Sequence, residues 1–450
     1  MNADLIAKYD GLRVPRYTSF PTAPHFGPQI QADAYLGWLA GLPASQGLSL
    51  YFHVPFCRSM CWYCGCHTKI VARYDPIAQY LDLLRQEVDL IADALPGRMT
   101  VDHVHFGGGT PTMIGAEDFE RLMAHVNSRF HLRSGCEVAV EIDPRTLTAE
   151  MPEALARAGV NRASLGVQDL DPTVQTAINR VQPFKVTDEA VRSLRRAGID
   201  GINLDLMYGL PHQTPESCEE SAERVMELTP ERLAVFGYAH VPWMKKHQRL
   251  IDESVLADAR ARWKQFDAIA AVLNDNDYHQ IGLDHFALET DPITIAQRDG
   301  TLRRNFQGYT TDDADVLIGF GASSIGALPD GYVQNDPVME SYAEAVLAGR
   351  PPIVKGKSLS ADDRLRRDLI ERLMCDLAVD LDVVAARHGV SSDLFAPDLA
   401  KLAPLAADGL ARIEGNRITI PEEVRPLVRA VAAAFDPYLD TAAMRHSKAI

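Results

Sequence analysis

Two adjoining patterns in the stretch LSLYFHVPFCRSMCWYCGC, residues 48–66, decide how this chain folds. Residues 48–56 form an apolar run, which is typical of a strand buried in a sheet. Four cysteines follow at once, at Cys57, Cys61, Cys64 and Cys66. Because barrel enzymes place their chemistry at the carboxyl ends of parallel strands, we expect a reactive site in this loop.

The first three cysteines have the spacing C-x3-C-x2-C. Three thiolates at this spacing are expected to bind three irons of a [4Fe–4S] cluster and to leave the fourth iron open. An open iron can bind and reduce a small molecule, and S-adenosylmethionine is the cofactor with which iron–sulfur proteins begin radical chemistry. The spacing therefore predicts a cluster together with S-adenosylmethionine.

A zinc site is the main alternative for clustered cysteines. Zinc sites usually combine two separated Cys or His pairs, however, and the remaining cysteines, Cys136, Cys218 and Cys375, are isolated along the chain. A disulfide framework is disfavoured because the number of cysteines is odd and the chain is long.

The composition is typical of a soluble globular protein, with 46% hydrophobic and 24% charged residues among 450. A formal net charge of −16, with no basic arm, argues against nucleic-acid binding. The sequence has no apolar signal core and no stretch long enough to span a bilayer. We expect a cytoplasmic protein, where thiols stay reduced, and a monomer, because no heptad seam is visible.

Strand-like and helical segments alternate from residue 48 to about residue 290, which predicts a parallel sheet with helices outside. Six such βα units would form an incomplete, open barrel, into which a bulky substrate can enter from the side. The predicted strands are Leu48–Val54, His103–Phe106, Val138–Ile142, Arg162–Val167, Ile202–Met207 and Leu233–Tyr238, with His279–Leu283 as a seventh candidate.

The chain is predicted to have four parts. Residues 1–45 form an extended arm over the active site, 46–290 the partial barrel, 291–358 a connecting extension of the barrel, and 359–450 a mainly helical domain. In the last part, a helix is followed by two short strands around Gly415-Asn416, which resembles the wing of a winged helix. We expect this domain to cover the substrate cleft, because the acidic chain disfavours a role in DNA binding.

Polar groups recur where the predicted strands end. The second strand ends in Gly107-Gly-Gly-Thr-Pro111, whose free N–H groups are expected to bind a carboxylate or an amino-acid head group. Glu141 ends the third strand, and its carboxylate suits an ammonium group, although a structural salt bridge is the alternative. Further polar side chains occur at the end of the fourth strand, Gln168, within the fifth, Asp205, and after the sixth, His240.

Several of these segments resemble the radical S-adenosylmethionine superfamily, namely Cys57–Cys64, Gly107–Pro111 and Glu141. Others are similar to the oxygen-independent coproporphyrinogen III oxidase family over nearly the whole chain. The segments that carry this second resemblance are Pro15–Thr22, Cys57–Cys66, Gly166–Asp169, Asn203–Pro211 and Arg304–Thr311.

The resemblance implies an α/β fold, with an incomplete (β/α)6 TIM-like barrel as the radical S-adenosylmethionine core. It implies that a 5′-deoxyadenosyl radical takes a hydrogen from the β-carbon of a propionate, and that loss of carbon dioxide and one electron leaves a vinyl group. Two propionates of coproporphyrinogen III would react in this way, giving protoporphyrinogen IX in haem (porphyrin) biosynthesis. An electron donor and an electron acceptor are required, and both are unidentified.

The resemblance also implies roles for individual residues. Cys57, Cys61 and Cys64 would bind the cluster. The first S-adenosylmethionine would contact Tyr51, Gly108, Glu141 and Ile325, with Tyr51 and Glu141 as the residues nearest the chemistry. A second S-adenosylmethionine would contact Tyr63, Gly109, Thr110, Gln168, Arg180, Asp205 and Ala239. Arg16, Arg303, Gln307 and Cys66 are the candidates for the substrate side; for each arginine, a surface salt bridge is the alternative.

Two other functions on the same scaffold stay open at this point. One is a radical haem-degrading methyltransferase, against which Cys66 and the segment Arg304–Thr311 argue. The other is a haem chaperone that would use its cluster structurally.

Overall fold

The computed structural model describes residues 3–9 and 11–439. Its strands are β1 Leu48–Val54, β2 Phe56–Cys57, β3 Lys69–Ile70, β4 Thr100–Gly108, β5 His131–Ile142, β6 Arg162–Gln168, β7 Gly201–Tyr208, β8 Arg232–Gly237, β9 Tyr278–Ile281, β10 His285–Leu288, β11 Arg303–Asn305, β12 Gly308–Thr310, β13 Val316–Phe320, β14 Ile325–Leu328, β15 Gly331–Asn335, β16 Ile353–Ser358, β17 Ala378–Asp380, β18 Arg412–Glu414 and β19 Arg417–Thr419.

The α-helices are α1 Ala3–Tyr9, α2 Ala32–Ala40, α3 Asp75–Ala94, α4 Ala116–Arg129, α5 Met151–Arg157, α6 Pro172–Ala177, α7 Phe184–Arg196, α8 Pro215–Met226, α9 Ala259–Asp275, α10 Pro292–Arg298, α11 Met339–Leu347, α12 Ala361–Asp376, α13 Leu381–Arg387, α14 Ala396–Ala407 and α15 Val428–Ala433.

A twelve-stranded sheet forms the body of the molecule, in the order β16-β15-β14-β13-β1-β4-β5-β6-β7-β8-β10-β9. The strands from β13 to β8 in this order pair in parallel, which confirms the six predicted βα units and adds β13 beside β1. The seventh predicted strand is different: β9 pairs antiparallel with β10 and ends the sheet. The hairpin formed by β9 and β10 therefore closes one edge of the parallel barrel.

The apolar run at residues 48–54 is explained by its position. β1 lies between β4 and β13, so both of its edges are hydrogen-bonded, and six of its seven residues are buried. Phe52 stacks on Phe106 and Phe320 from the two neighbouring strands. The strand that carries the cysteine loop is thus fixed in the middle of the sheet.

Helices cover the outer face of the sheet because their apolar residues recur on one side. In α3, for example, Ile77, Leu81, Leu84 and Val88 are all buried and share one face. Among the described residues, no helix combines the length and the apolar character that crossing a bilayer requires.

The arm at residues 1–45 contains helices α1 and α2, where the sequence predicted extended chain. Between them, Tyr17 donates a hydrogen bond to Asp436 at 3.0 Å, and Gly27 forms an isolated bridge with Gly356. The arm therefore joins the edge of the sheet to the C-terminal part of the chain.

The C-terminal part contains the predicted helix and wing. Strands β17, β19 and β18 form a small antiparallel sheet, in which Gly415 and Asn416 turn the chain between β18 and β19. Helix α12 packs against the hairpin of β11 and β12, where Tyr309 donates a hydrogen bond to Met374 O at 2.8 Å. This hairpin lies on the cavity described below.

Candidate active site

The cysteine loop begins two residues after β1 ends. Cys61 is buried, Cys57 and Cys64 are half-buried, and Cys66 is exposed. On one side the loop is attached to the end of α6, since Trp62 N donates to Ile178 O at 2.9 Å. The sequence correctly predicted that this loop follows a buried strand.

Positive charge surrounds the thiol of Cys61. Arg145 Nη2 lies 3.4 Å from its sulfur, and Arg180 Nη1 lies 3.6 Å away. Two guanidinium groups therefore adjoin one of the three cysteines. Arg145 was not predicted as a site residue, although it follows the strand-end segment Glu141–Pro144 directly.

Cys66 forms a hydrogen bond to the sulfur of Cys64. Its backbone N–H points at Cys64 Sγ at 3.4 Å. The side-chain hydrogen bond from Cys66, opposed by burial, lowers the pKa of Cys64 to about 6, while the same contact raises the pKa of Cys66. The backbone N–H of Cys66 therefore donates to the sulfur of Cys64.

The donor set fits an iron–sulfur cluster. In the part of the chain that the structure describes, no three His, Cys, Asp or Glu side chains converge closely enough to hold one metal ion. A cubane cluster has a different requirement, because each of three thiolates binds a separate iron. Cys57, Cys61 and Cys64 supply three thiols in one loop, with cationic and hydrogen-bonding groups around them.

The glycine run after β4 packs against the protein itself. Its N–H groups donate to protein acceptors: Gly108 N to Glu141 Oε2 at 3.1 Å, Gly109 N to Val54 O at 2.9 Å, and Thr110 N to Phe56 O at 2.8 Å. A Cβ atom on Gly109 would lie 2.6 Å from Phe56 O, so glycine is required there. The prediction that these N–H groups are free for a ligand was wrong, because they join β4 to the start of the cysteine loop.

Glu141 is accessible and charged. Its side chain is 40% exposed, and its Oε1 lies 3.3 Å from His105 Nε2. Burial raises the pKa of Glu141, but the hydrogen bonds from His105 and from Gly108 N outweigh it and hold the pKa below its usual range. The carboxylate is therefore ionised and available to a cationic group such as an ammonium.

Tyr51 is the first member of a hydrogen-bonded chain that reaches the cysteine loop. Its hydroxyl lies 3.0 Å from His53 Nδ1, and His53 Nε2 lies 3.0 Å from His67 O. Only a ring N–H can donate to a carbonyl, so Nε2 carries the proton and Nδ1 accepts from Tyr51. Burial lowers the pKa of His53 to about 4, and the ring is therefore neutral as this arrangement requires.

Arg180 is held tightly at the end of β6. It is 6% exposed, donates to Gly166 O at 2.7 Å, and lies 3.4 Å from the Asp143 carboxylate. Its Nε has no hydrogen-bond partner among the described residues. Gln168, beside it, has a positive φ of 70°, which turns the chain at the strand end.

A cavity of about 170 Å³ lies inside the barrel and is lined by residues from the bodies of β1 and of β4 to β8. Asp205 and Glu141 face it together, and burial, followed by the Glu141 charge, raises the pKa of Asp205 to about 7. Gln307 lines the cavity wall as well. The structure thus brings Glu141, Asp205 and Gln307 to one cavity.

Four other predicted residues lie around this region. Thr110 Oγ1 is 3.5 Å from Cys57 Sγ, and Tyr63 and Ala239 both accept hydrogen bonds from Gln248 through their carbonyls. Ile325 begins β14 and is half-buried.

The two arginines predicted for the substrate side differ in their surroundings. Arg303 pairs with Glu371 at 3.2 Å and with Asp315 at 3.3 Å. Arg16 is exposed, and its carbonyl accepts a hydrogen bond from Arg304 at 3.5 Å. Arg303 has the ion pairs that the sequence analysis named as the alternative, whereas Arg16 belongs to a cationic group.

The sequence analysis missed two members of that group, Arg304 and Arg429. Burial, and then the charges of Arg16 and Arg304, lowers the pKa of Arg429 to about 10. Arg304 lies 4.3 Å from the centre of the Tyr309 ring, and its Nε and Nη1 have no hydrogen-bond partner among the described residues. We call Arg16, Arg304 and Arg429 the arginine triad.

Asp284 is an acidic neighbour of the triad. Burial raises its pKa, but the hydrogen bond with His285 Nδ1 at 2.7 Å and the charges of Arg304 and Arg16 lower it. His285 and Tyr309 line the cavity. The triad therefore adjoins the cavity through Asp284, His285 and Tyr309.

Family models match two parts of the chain. Residues 51–225 match the radical SAM superfamily, and residues 359–427 match the HemN C-terminal domain.

Relatives match over the whole length. The oxygen-independent coproporphyrinogen III oxidase of Bradyrhizobium diazoefficiens is 54% identical over 100% of both chains, and that of Paracoccus denitrificans is 42% identical over 97% of both. The solved structure of coproporphyrinogen III oxidase (HemN) from Escherichia coli, described as a radical SAM enzyme, superposes with a TM-score of 0.90 at 36% identity. It covers 95% of this chain and 100% of its own. With the cysteine loop at the end of β1 and these matches along its length, the chain belongs to the oxygen-independent coproporphyrinogen III oxidase family of radical S-adenosylmethionine proteins.

Proposed function

We propose that the chain catalyses the oxidative decarboxylation of two propionates of coproporphyrinogen III, giving protoporphyrinogen IX. The observation that carries the proposal is the cysteine loop that follows β1, in a barrel whose interior cavity Glu141 and Asp205 face. Each propionate loses a hydrogen atom from its β-carbon, then carbon dioxide and one electron, and becomes a vinyl group. An external acceptor takes the electron.

A [4Fe–4S] cluster and S-adenosylmethionine, when bound, supply the electron and the hydrogen-abstracting chemistry that begin the reaction. Cys57, Cys61 and Cys64 hold the cluster. Arg145 and Arg180 lie beside the Cys61 sulfur and place positive charge next to the cluster ligands.

Two further groups of residues receive S-adenosylmethionine. Tyr51, Gly108, Glu141 and Ile325 would contact one molecule, and the ionised Glu141 would accept hydrogen bonds from its ammonium group. Tyr63, Gly109, Thr110, Gln168, Arg180, Asp205 and Ala239 contact a second. The free Nε of Arg180 is a donor on that side, within the described residues.

The arginine triad recognises the substrate's carboxylates. Coproporphyrinogen III carries four propionates, and a chain with a net charge of −16 needs local positive charge to bind it. Guanidinium groups match carboxylates in shape and in hydrogen-bond donors. Arg303, Gln307 and Cys66 are further candidates for the substrate side.

The proposal assigns each part of the chain a task. The arm, residues 1–45, and the C-terminal domain, residues 359–450, cover a substrate that lies in the barrel, residues 46–290. Residues 291–358 extend the barrel and carry the hairpin with Arg304. We place this enzyme in the cytoplasm as a monomer. It requires an external electron donor, which is unidentified.

The test is anaerobic turnover of the reconstituted protein with a reductant, S-adenosylmethionine and coproporphyrinogen III. We expect mass spectrometry to show stepwise loss of two carboxyl groups together with 5′-deoxyadenosine. Transfer of a methyl group to haem would indicate the methyltransferase instead. Tight haem binding without consumption of S-adenosylmethionine would indicate a chaperone, and either result would contradict the proposal.

A further inference from the structure

A short segment after β8 holds the second half of the cysteine loop by its carbonyl oxygens. Lys245 Nζ donates to Cys66 O at 2.9 Å, His247 Nε2 to Cys64 O at 2.7 Å, and Gln248 Nε2 to Tyr63 O at 2.9 Å. We call Lys245, His247 and Gln248 the carbonyl clamp.

Gln248 is the most buried member of the clamp and makes three hydrogen bonds. It is 1% exposed, whereas the other two are half-buried. Its Nε2 also donates to Ala239 O at 3.3 Å, and its Oε1 accepts from Val241 N at 2.6 Å. Both amide protons and the amide oxygen are therefore used, which fixes the orientation of the side chain.

These contacts join two structures that are far apart in sequence. Tyr63 lies between two of the cluster cysteines, and Ala239 lies just beyond the end of β8. The first half of the loop is held from the other side, where Asn179 Nδ2 donates to Met60 O at 2.8 Å and Ile178 O accepts from Trp62 N. Without Gln248, Tyr63 would lose the contact that ties it to the strand end.

We propose that Gln248 is a positioning residue, which sets the distance between the cysteine loop and the end of β8 so that S-adenosylmethionine binds in a fixed place beside Tyr63. The inference deepens the proposed function and rests on it. The positioning role does not depend on a protonation state, because the neutral amide of Gln248 makes all three hydrogen bonds.

The test compares Gln248→Met with Gln265→Met. Methionine keeps the length and removes both donors. Gln265 is an equally buried amide that bridges Gly209 N and Gln213 O, at 2.9 and 2.8 Å, away from the cysteine loop. The control therefore reports the general cost of losing a buried bridging amide.

Two measurements follow on the anaerobically reconstituted proteins. Hydrogen exchange, read by mass spectrometry, reports the mobility of residues 57–67. Electron paramagnetic resonance of the reduced cluster, titrated with S-adenosylmethionine, reports how tightly the cofactor binds. For Gln248→Met, which loses three hydrogen bonds, we expect unchanged iron content, faster exchange in the loop, and S-adenosylmethionine binding weaker by about tenfold. Gln265→Met should match the wild type in both measurements.

Unchanged exchange in the loop would overturn the proposal, and so would faster exchange with unchanged cofactor binding, because Gln248 would then be merely structural. If Gln248→Met does not fold, Gln248→Glu keeps the acceptor for Val241 N and repels the two carbonyls, and the same outcomes apply. A wild-type spectrum that does not respond to S-adenosylmethionine would contradict the proposed function itself, and the exchange measurement would still decide whether Gln248 holds the loop.

Discussion

The cofactor side and the substrate side of the proposed site are built in different ways. On the cofactor side, which comprises the cysteine loop and the ends of β4 and β5, backbone hydrogen bonds fix segments that are short in sequence, such as Gly107–Pro111. On the substrate side, the arginine triad converges from residues 16, 304 and 429, and side chains make most of the contacts. The cofactor side is therefore a rigid, locally encoded frame, whereas the substrate side depends on three distant segments being assembled together.

The largest expected effect comes from removing a ligand on the cofactor side. Cys61→Ala takes away one of three thiolates, so we expect loss of the cluster's absorbance and iron content, and of all turnover, from a chain that stays folded by circular dichroism. Cys218→Ala, which removes a buried cysteine from α8, is the control and should keep its iron. Full activity of Cys61→Ala would disprove the cluster assignment.

On the substrate side, Arg304→Met should raise the KM for coproporphyrinogen III by roughly 10- to 100-fold, the loss expected for a hydrogen bond to a charged group. Iron content and affinity for S-adenosylmethionine should not change, because the triad lies apart from the cysteine loop. Steady-state kinetics and calorimetry would measure both quantities.

Arg372→Met is the matched control for Arg304→Met. Arg372 pairs with Asp376 at 2.8 Å and donates to Leu302 O, so its loss should lower the melting temperature and leave KM unchanged. If both variants changed KM equally, the substrate side would depend on general packing and not on charge.

Glu141→Gln removes the negative charge on the cofactor side and should have a smaller effect than Cys61→Ala or Arg304→Met. Glutamine retains an acceptor for Gly108 N and loses the negative charge, so we expect S-adenosylmethionine to bind about tenfold more weakly, with normal iron content. Glu137→Gln, on the same strand and paired with Arg162, should leave that affinity unchanged. Equal affinities for wild type and Glu141→Gln would remove Glu141 from the proposed site.

The smallest effect on activity is expected from Glu87 in α3, whose titration makes the stability of the protein depend on pH. Glu87 is 1% exposed and accepts from Gly321 N and Tyr342 OH, and burial raises its pKa to about 7. The folded state therefore holds the proton more tightly than the unfolded chain, so this contribution to stability is complete below about pH 4.5 and is lost as the pH rises through 7. The loss should be on the order of 3 kcal/mol in the free energy of unfolding.

Denaturant unfolding of the apoprotein between pH 5 and 8 would measure this loss. Glu87→Gln cannot ionise and should show a flatter dependence on pH. A variant with the wild-type slope would show that another group is responsible.

The cofactor side was largely predictable from the sequence because its signals are local. The apolar run of β1, the cysteine spacing and the carboxylate at Glu141 are each visible within a few residues. The same local view suggested free N–H groups at Gly108 and Gly109, and it failed because their partners, Glu141 and Val54, lie elsewhere in the chain.

The residues that were not predicted make contacts between segments that are far apart in sequence. Gln248 meets Tyr63, and Arg429 lies near Arg16 and Arg304, but no local pattern marks any of these contacts. The antiparallel pairing of β9 is a similar case, because a short strand has the same pattern in either direction. In each case the tertiary fold supplied the missing information.

The central place of β1 has a consequence for how the protein is made. One of its neighbours, β13, is synthesised about 260 residues later, which at ribosomal rates of about 5–20 residues per second is a delay on the order of ten seconds or more. During that time one edge of the strand beneath the cysteine loop is unpaired, and an open strand edge invites aggregation. We therefore expect the nascent chain to need a chaperone. We also expect iron to be inserted only after the last third of the chain has left the ribosome.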